Sequence, residues 1–223
     1  MARLVLVPSP FVGPSSCAAT AAALPGALAA DYGVVSGPDW YAGPARRIAA
    51  QADGRPWLAV MHSGAGGFAP AIAAAAADLA GLIFVDAVMP YPGRSCLATA
   101  PDALAAQLRA LTTDGLLAPW NQWFGDDPTP RLIPDDEARA VFLADLPRLP
   151  FAFLEAVAPP DAAWTRLPAA YLQLSKGYEA TADAAAARGW PVRRLRLNHL
   201  AMASHPDAVA EQLVALSAET VQA

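Results

Sequence analysis

Cysteine is scarce in this chain of 223 residues: Cys17 and Cys96 are the only two, and neither belongs to a CxxC or Cys/His pattern. That excludes a zinc ribbon and a disulfide framework and leaves buried thiols as the expectation. Lysine is scarcer, with Lys176 alone, and the formal net charge is −5. A nucleic-acid binder needs clustered cations to displace counterions from phosphates, so DNA and RNA are excluded as partners. Long hydrophobic runs are missing too. The first apolar stretch, Leu4-Val5-Leu6-Val7, is closed at once by Pro8 and Pro10, short of the roughly 7–15 residues of a signal-peptide core. Only alanine-rich stretches approach the length of about 18 residues needed for a membrane span, and their hydrophobicity is too low to hold one. The expectation is a soluble, cytoplasmic protein with no membrane partner.

What is present is a core. Hydrophobic residues make up 55% of the chain and charged residues 16%, a balance that excludes a disordered chain. The length suits one domain with an excursion. Short apolar runs at 4–7, 57–61, 82–85, 171–174 and 192–197 have the length and Gly/Pro bounds of buried strands. A further short strand is expected near 33–35. Helical stretches fall between them, an alanine-rich one from Ser15 toward Ala30, then 45–52, 65–77, 180–188 and 206–216, with Pro206 at a first helical position. Alternating strands and helices predict an α/β fold with a mostly parallel sheet and helices on both faces. From Met89 to Pro168 the rhythm breaks into proline-punctuated helices at 102–111 and 135–143. Residues 89–168 are therefore expected to form a helical cap inserted into a core of 1–88 and 169–223. Trp120, Trp123 and Phe124, with Met89, are the candidate substrate-binding residues, although apolar walls and apolar glue look alike in one dimension.

The candidate chemistry centres on Met61-His62-Ser63-Gly64-Ala65-Gly66-Gly67, a turn joining a buried strand to a helix. In a G-x-S-x-G nucleophile elbow the serine sits in a strained turn with its Oγ above the sheet, and small neighbours let strand and helix approach. Ser63 fits that place and Ala65 is small, but Met61 departs from the pattern. A serine hydroxyl needs a base, and of three histidines His199 stands in the loop between the last strand and last helix, at the carboxyl end of the sheet. Two carboxylates end strands on that side and satisfy the order Ser, acid, His. Glu179 is preferred, because its strand is nearer in sequence to the one bearing His199, and Asp86 is the alternative. One oxyanion donor is expected to be the amide of Gly64; the second is expected from Ser9, Phe11 or Val12, since Pro8 and Pro10 have none, with Phe11 preferred.

These stretches, residues 4–13, 58–67 and 198–209, make the whole chain resemble a minimal α/β-hydrolase fold lacking its first two antiparallel strands. The His-Ser-Gly-Ala-Gly elbow is similar to that of small bacterial members associated with specialised metabolism. Met89-Pro90 is similar to a segment of plant-type esterases and hydroxynitrile lyases. The resemblance implies a Ser63–His199–carboxylate triad under a helical cap, with no cofactor or metal. Hydrolysis is not implied, because fold and function separate. The leading expectation is a serine hydrolase acting on an ester or thioester of a small, largely apolar metabolite, as a monomer or homodimer. An eliminating enzyme, lyase or cyclase using His199 as base is the alternative, and a non-catalytic ligand-binding protein the second. Dinucleotide binding is disfavoured, because the glycines after Ser63 lack G-x-G-x-x-G spacing.

Overall fold

A computed structural model describes residues 2–222. Strand β1 (Arg3–Val7) leads through α1 (Ser15–Ala22) to the two-residue β2 (Leu28–Ala29), then α2 (Ala42–Ala50) and β3 (Trp57–His62). A 3₁₀ turn (Ser63–Phe68) opens α3 (Ala69–Ala75), and β4 (Leu79–Val85) follows. Next come α4 (Cys96–Thr99), α5 (Asp102–Ala110), the hairpin β5 (Thr112–Thr113) and β6 (Leu116–Leu117), α6 (Thr129–Leu132), α7 (Asp136–Ala144) and α8 (Ala152–Glu155). The chain then adds β7 (Ala169–Gln173), α9 (Glu179–Ala187), β8 (Val192–Arg194), α10 (Ala201–Ser204) and α11 (Pro206–Gln222).

Six strands form one sheet in the order β2-β1-β3-β4-β7-β8, and every pairing within it is parallel. Strands buried on both faces explain the unbroken apolar runs. Along β3, Trp57, Ala59 and Met61 enter the core on one side of the sheet, while Leu58 and Val60 enter the core on the other, with Leu213 and Leu216 of α11. Full burial of one Leu, Ile or Phe side chain stabilises by about 1.5–3 kcal/mol, so these two layers fix the strand order firmly. No helix among the described residues is long and apolar enough to cross a membrane.

Two expectations about this part of the chain change. The strand expected at 33–35 is a loop: Gly33 has φ +66° and Val34 is 55% exposed. The edge strand is β2, and the alanine-rich helix expected to run toward Ala30 ends at Ala22, ahead of Pro25-Gly26. The segment between β4 and β7 is fastened at two places. Leu117, Phe153 and Leu154 join the core beside α2 and α3, and Ile133 and Phe142 pack with Val12 and Leu200. Trp164 packs against Phe84 of β4 and Trp190 ahead of β8, while Trp123 meets Phe11 edge-on after β1.

Candidate active site

Ser63 follows β3 directly and has φ +54°. A left-handed conformation costs a non-glycine residue on the order of 1 kcal/mol or more and is concentrated at functional turns. It is sustained here by close packing: the Ser63 carbonyl accepts the Val88 N–H at 3.0 Å, and a Cβ on Gly66 would fall 2.0 Å from the Val88 carbonyl oxygen. Glycine at 66 is thus what lets the turn lie against the end of β4. Met61, the departure from the small-residue pattern, is fully buried in the sheet core and is accommodated there.

His199 reaches the serine from the loop after β8. Its Nε2 lies 2.9 Å from Ser63 Oγ, and its Nδ1 lies 2.8 Å from Asp86 Oδ2. The carboxylate fixes the tautomer: Nδ1–H donates to Asp86, so Nε2 accepts the serine proton. Asn198 anchors the loop, accepting the Leu200 N–H through Oδ1 and donating through Nδ2 to the Leu132 carbonyl. His62, fully buried behind the nucleophile, donates from Nε2 to the His199 carbonyl at 2.9 Å. Burial, then the neighbouring His199, lowers the His62 pKa to about 3, so this ring stays neutral and serves as a strut.

Asp86, not the preferred Glu179, meets the imidazole. It ends β4, which lies between β3 and β7, and its φ of +44° turns it toward the site. Its Oδ1 accepts the amides of Leu174 and Ser175 at 2.8 and 3.0 Å, and its Oδ2 accepts the Ser175 hydroxyl at 2.6 Å. Burial pushes this carboxyl up, but the bonds from His199 and Ser175 outweigh it and hold the pKa below the ordinary value. Tyr171 braces the next residue, donating to the Ala87 carbonyl and accepting the Ala87 N–H. Glu179 begins α9 beyond a 3₁₀ turn at Lys176–Tyr178; that turn carries it away, and it lies exposed. Nearness in sequence misled because position in a sheet is set by strand order.

The expected oxyanion amides converge, and an oxygen marks the spot. Gly64 N–H and Phe11 N–H both donate to Ser9 Oγ, at 3.3 and 3.4 Å. Both bonds are long, and a developing oxyanion draws donors to about 2.7–3.1 Å, so these amides are poised to exchange one oxygen for another. Ser9 is buried; the sequence offers its amide as an oxyanion donor, whereas the structure uses its hydroxyl as the acceptor of the two N–H groups.

In front of Ser63 and His199 opens a cavity of about 790 Å³, within the size range of metabolite sites. Phe11, Trp120, Trp123, Phe124, Leu104, Leu108 and Tyr178 supply walls, with Asp127 and Arg131 also lining it. Of the substrate-binding candidates, Trp120, Trp123 and Phe124 line this space. Met89 does not: it packs against the body core, one residue beyond the lining Val88. Among the described residues no group of three or more His, Cys, Asp or Glu side chains is placed to hold a metal ion. Such an arrangement can transfer the Ser63 proton to His199 as the oxygen attacks an electrophilic carbon, with the buried carboxylate stabilising the imidazolium.

A family model described as Alpha/beta hydrolase family matches residues 4–212. No curated protein matches the chain. Among solved structures, an extracellular alpha/beta-hydrolase from a Paenibacillus species superposes with a TM-score of 0.78 at 16% identity, covering 97% of this chain and 99% of its own. A methylesterase from Arabidopsis gives 0.61 at 15% identity, covering 98% and 99%. A thermophilic esterase from Thermogutta terrifontis gives 0.60 at 16% identity, covering 99% and 90%. At such identities the likeness is one of fold.

Proposed function

Because this chain belongs to the alpha/beta hydrolase family, we propose that it is a serine hydrolase cleaving an ester or thioester of a small, largely apolar metabolite. One observation carries the reading: an unbroken hydrogen-bonded line from Ser63 Oγ through the His199 ring to Asp86, at 2.9 and 2.8 Å. Ser63 attacks the carbonyl carbon and gives its proton to His199 Nε2, Asp86 holds the tautomer, and the Gly64 and Phe11 amides receive the oxyanion. His199 then delivers the proton to the departing group, and water repeats the sequence on the acyl-enzyme. The aromatic cavity favours an apolar acyl or alkoxy group, and residues 89–168 act as the cap that keeps water out. The methylesterase and esterase among the similar structures accord with this chemistry.

The test is intact-protein mass spectrometry during turnover of para-nitrophenyl butyrate. An acyl adduct on Ser63, absent from Ser63→Ala together with turnover, is expected; equal turnover by wild type and Ser63→Ala refutes the reading. A second reading, elimination or cyclisation with His199 as base, draws on one observation, that Ser9 Oγ already occupies both oxyanion amides. It requires activity that depends on His199 without any acyl-Ser63.

A further inference from the structure

The turn after β7 carries no carboxylate to the imidazole edge, and what it brings to the site instead is Tyr178. This ring stacks on the His199 imidazole, with centroids 5.1 Å apart and planes 5° from parallel. It lines the same cavity as Ser63 and His199. Its phenol lies beside the Ser63 hydroxyl.

Once Ser63 Oγ has bonded to a carbonyl carbon, the phenol hydrogen beside it is free to turn to the nearest growing negative charge. The carbonyl oxygen is served from the other side, by the Gly64 and Phe11 amides beside Ser9. The oxygen of the departing group faces His199 Nε2, over whose ring Tyr178 lies. We infer that Tyr178 is a further catalytic residue, donating a hydrogen bond to the leaving-group oxygen, and that the site is thereby suited to unactivated alkyl esters. In that step the Ser63 oxygen bonds to the carbonyl carbon, the carbon–alkoxy bond breaks, and the Ser63 proton travels through His199 Nε2 to the departing oxygen. Tyr178 lends its hydrogen bond and keeps its proton. Burial pushes this phenol up to about 12, so it remains protonated throughout the neutral range.

The inference rests on the hydrolase reading, and the experiment separates the two. Tyr178→Phe keeps the stacked ring and removes only the hydroxyl, so the fold is preserved, as an unchanged melting temperature will verify. Measured as kcat/KM, the variant is expected to lose about tenfold on ethyl butyrate, the worth of one hydrogen bond to a developing charge, and less than about twofold on para-nitrophenyl butyrate, whose leaving group needs no help. Equal loss on both esters, no loss on either, or a wild type inactive on the ethyl ester overturns the role of Tyr178 while acyl-Ser63 on the nitrophenyl ester still upholds the hydrolase. Absence of a Ser63-dependent reaction on any ester removes both.

Discussion

Replacing Asp86 by asparagine changes one atom of the site and reverses one hydrogen bond. The carboxamide oxygen of the new side chain keeps the Leu174 and Ser175 amides, which the carboxylate holds at 2.8 and 3.0 Å. The atom facing His199 Nδ1 becomes an NH₂, a donor where an acceptor stood at 2.8 Å. The imidazole must then accept at Nδ1 and carry its proton on Nε2, where it can no longer take the one on Ser63. Loss of the correct tautomer lowers kcat by about 10⁴-fold in the serine–histidine–aspartate template. Stability changes far less, by about 1 kcal/mol, because the Ser175 hydroxyl can turn to accept from the new amide and no buried group is orphaned. Asp86→Ala, which strands two amides and the imidazole, should cost about 3–5 kcal/mol. The pH dependence has a definite sign. The folded pKa lies below the ordinary value, so the folded state binds fewer protons than an unfolded chain titrating near 3.9. The stability Asp86 contributes is present above that pH and is lost as pH falls through the lower folded value; Asp86→Asn should flatten that part of the melting curve. Initial rates on para-nitrophenyl butyrate, with Glu179→Gln as the control, decide the matter. If Asp86→Asn retains more than about a tenth of wild-type kcat, or Glu179→Gln loses as much, the assignment of the acid is wrong.

Two further variants probe the frame around the site. His62 has its pKa lowered to about 3 by burial and by His199, against about 6.5 in an unfolded chain, so folded molecules bind fewer protons between those values and stability should drop as pH falls from 6.5 toward 3. His62→Gln should lessen that drop in melting experiments from pH 7 to 4, and an unchanged slope would show that His62 is not its source. Gly66→Ala drives a methyl to 2.0 Å from the Val88 carbonyl oxygen and should destabilise by about 3 kcal/mol, at the upper end of overpacking costs; a urea midpoint equal to wild type would contradict the close approach of the elbow to β4.

The architecture was legible because parallel strands buried on both faces spell themselves as short apolar runs, and the runs at 57–61 and 82–85 fall inside β3 and β4. The elbow was legible for a related reason: few contexts put Ser63 and three glycines within five residues between a strand and a helix. Where alanine dominates, the pattern fades. From Ala18 to Ala30 no apolar period distinguishes helix from strand, which hid the two-residue β2. The hairpin β5–β6 went unread although Asp114-Gly115 is its signal, both residues at positive φ, +52° and +73°. Glue and wall among residues 89–168 separate only in three dimensions, Phe153 facing the core while Trp120 and Trp123 face the cavity.

The carboxylate was the deepest miss, and it has a consequence for the rest of the site. Sequence order placed the acid after β7, the strand nearest in sequence to the one that leads to His199, whereas sheet order puts β4 between the strand of the nucleophile and β7. Asp86 therefore captures the amides at the end of β7 as well as the imidazole, binding the β7 turn over the site without asking it for a ligand. That turn is then free to lay an aromatic ring on the imidazole face, and Tyr178 does so at 5.1 Å. The location of the acid and the presence of a phenol beside Ser63 are thus one structural fact, and a variant that loosens Asp86 from the Leu174 and Ser175 amides should displace Tyr178 as well.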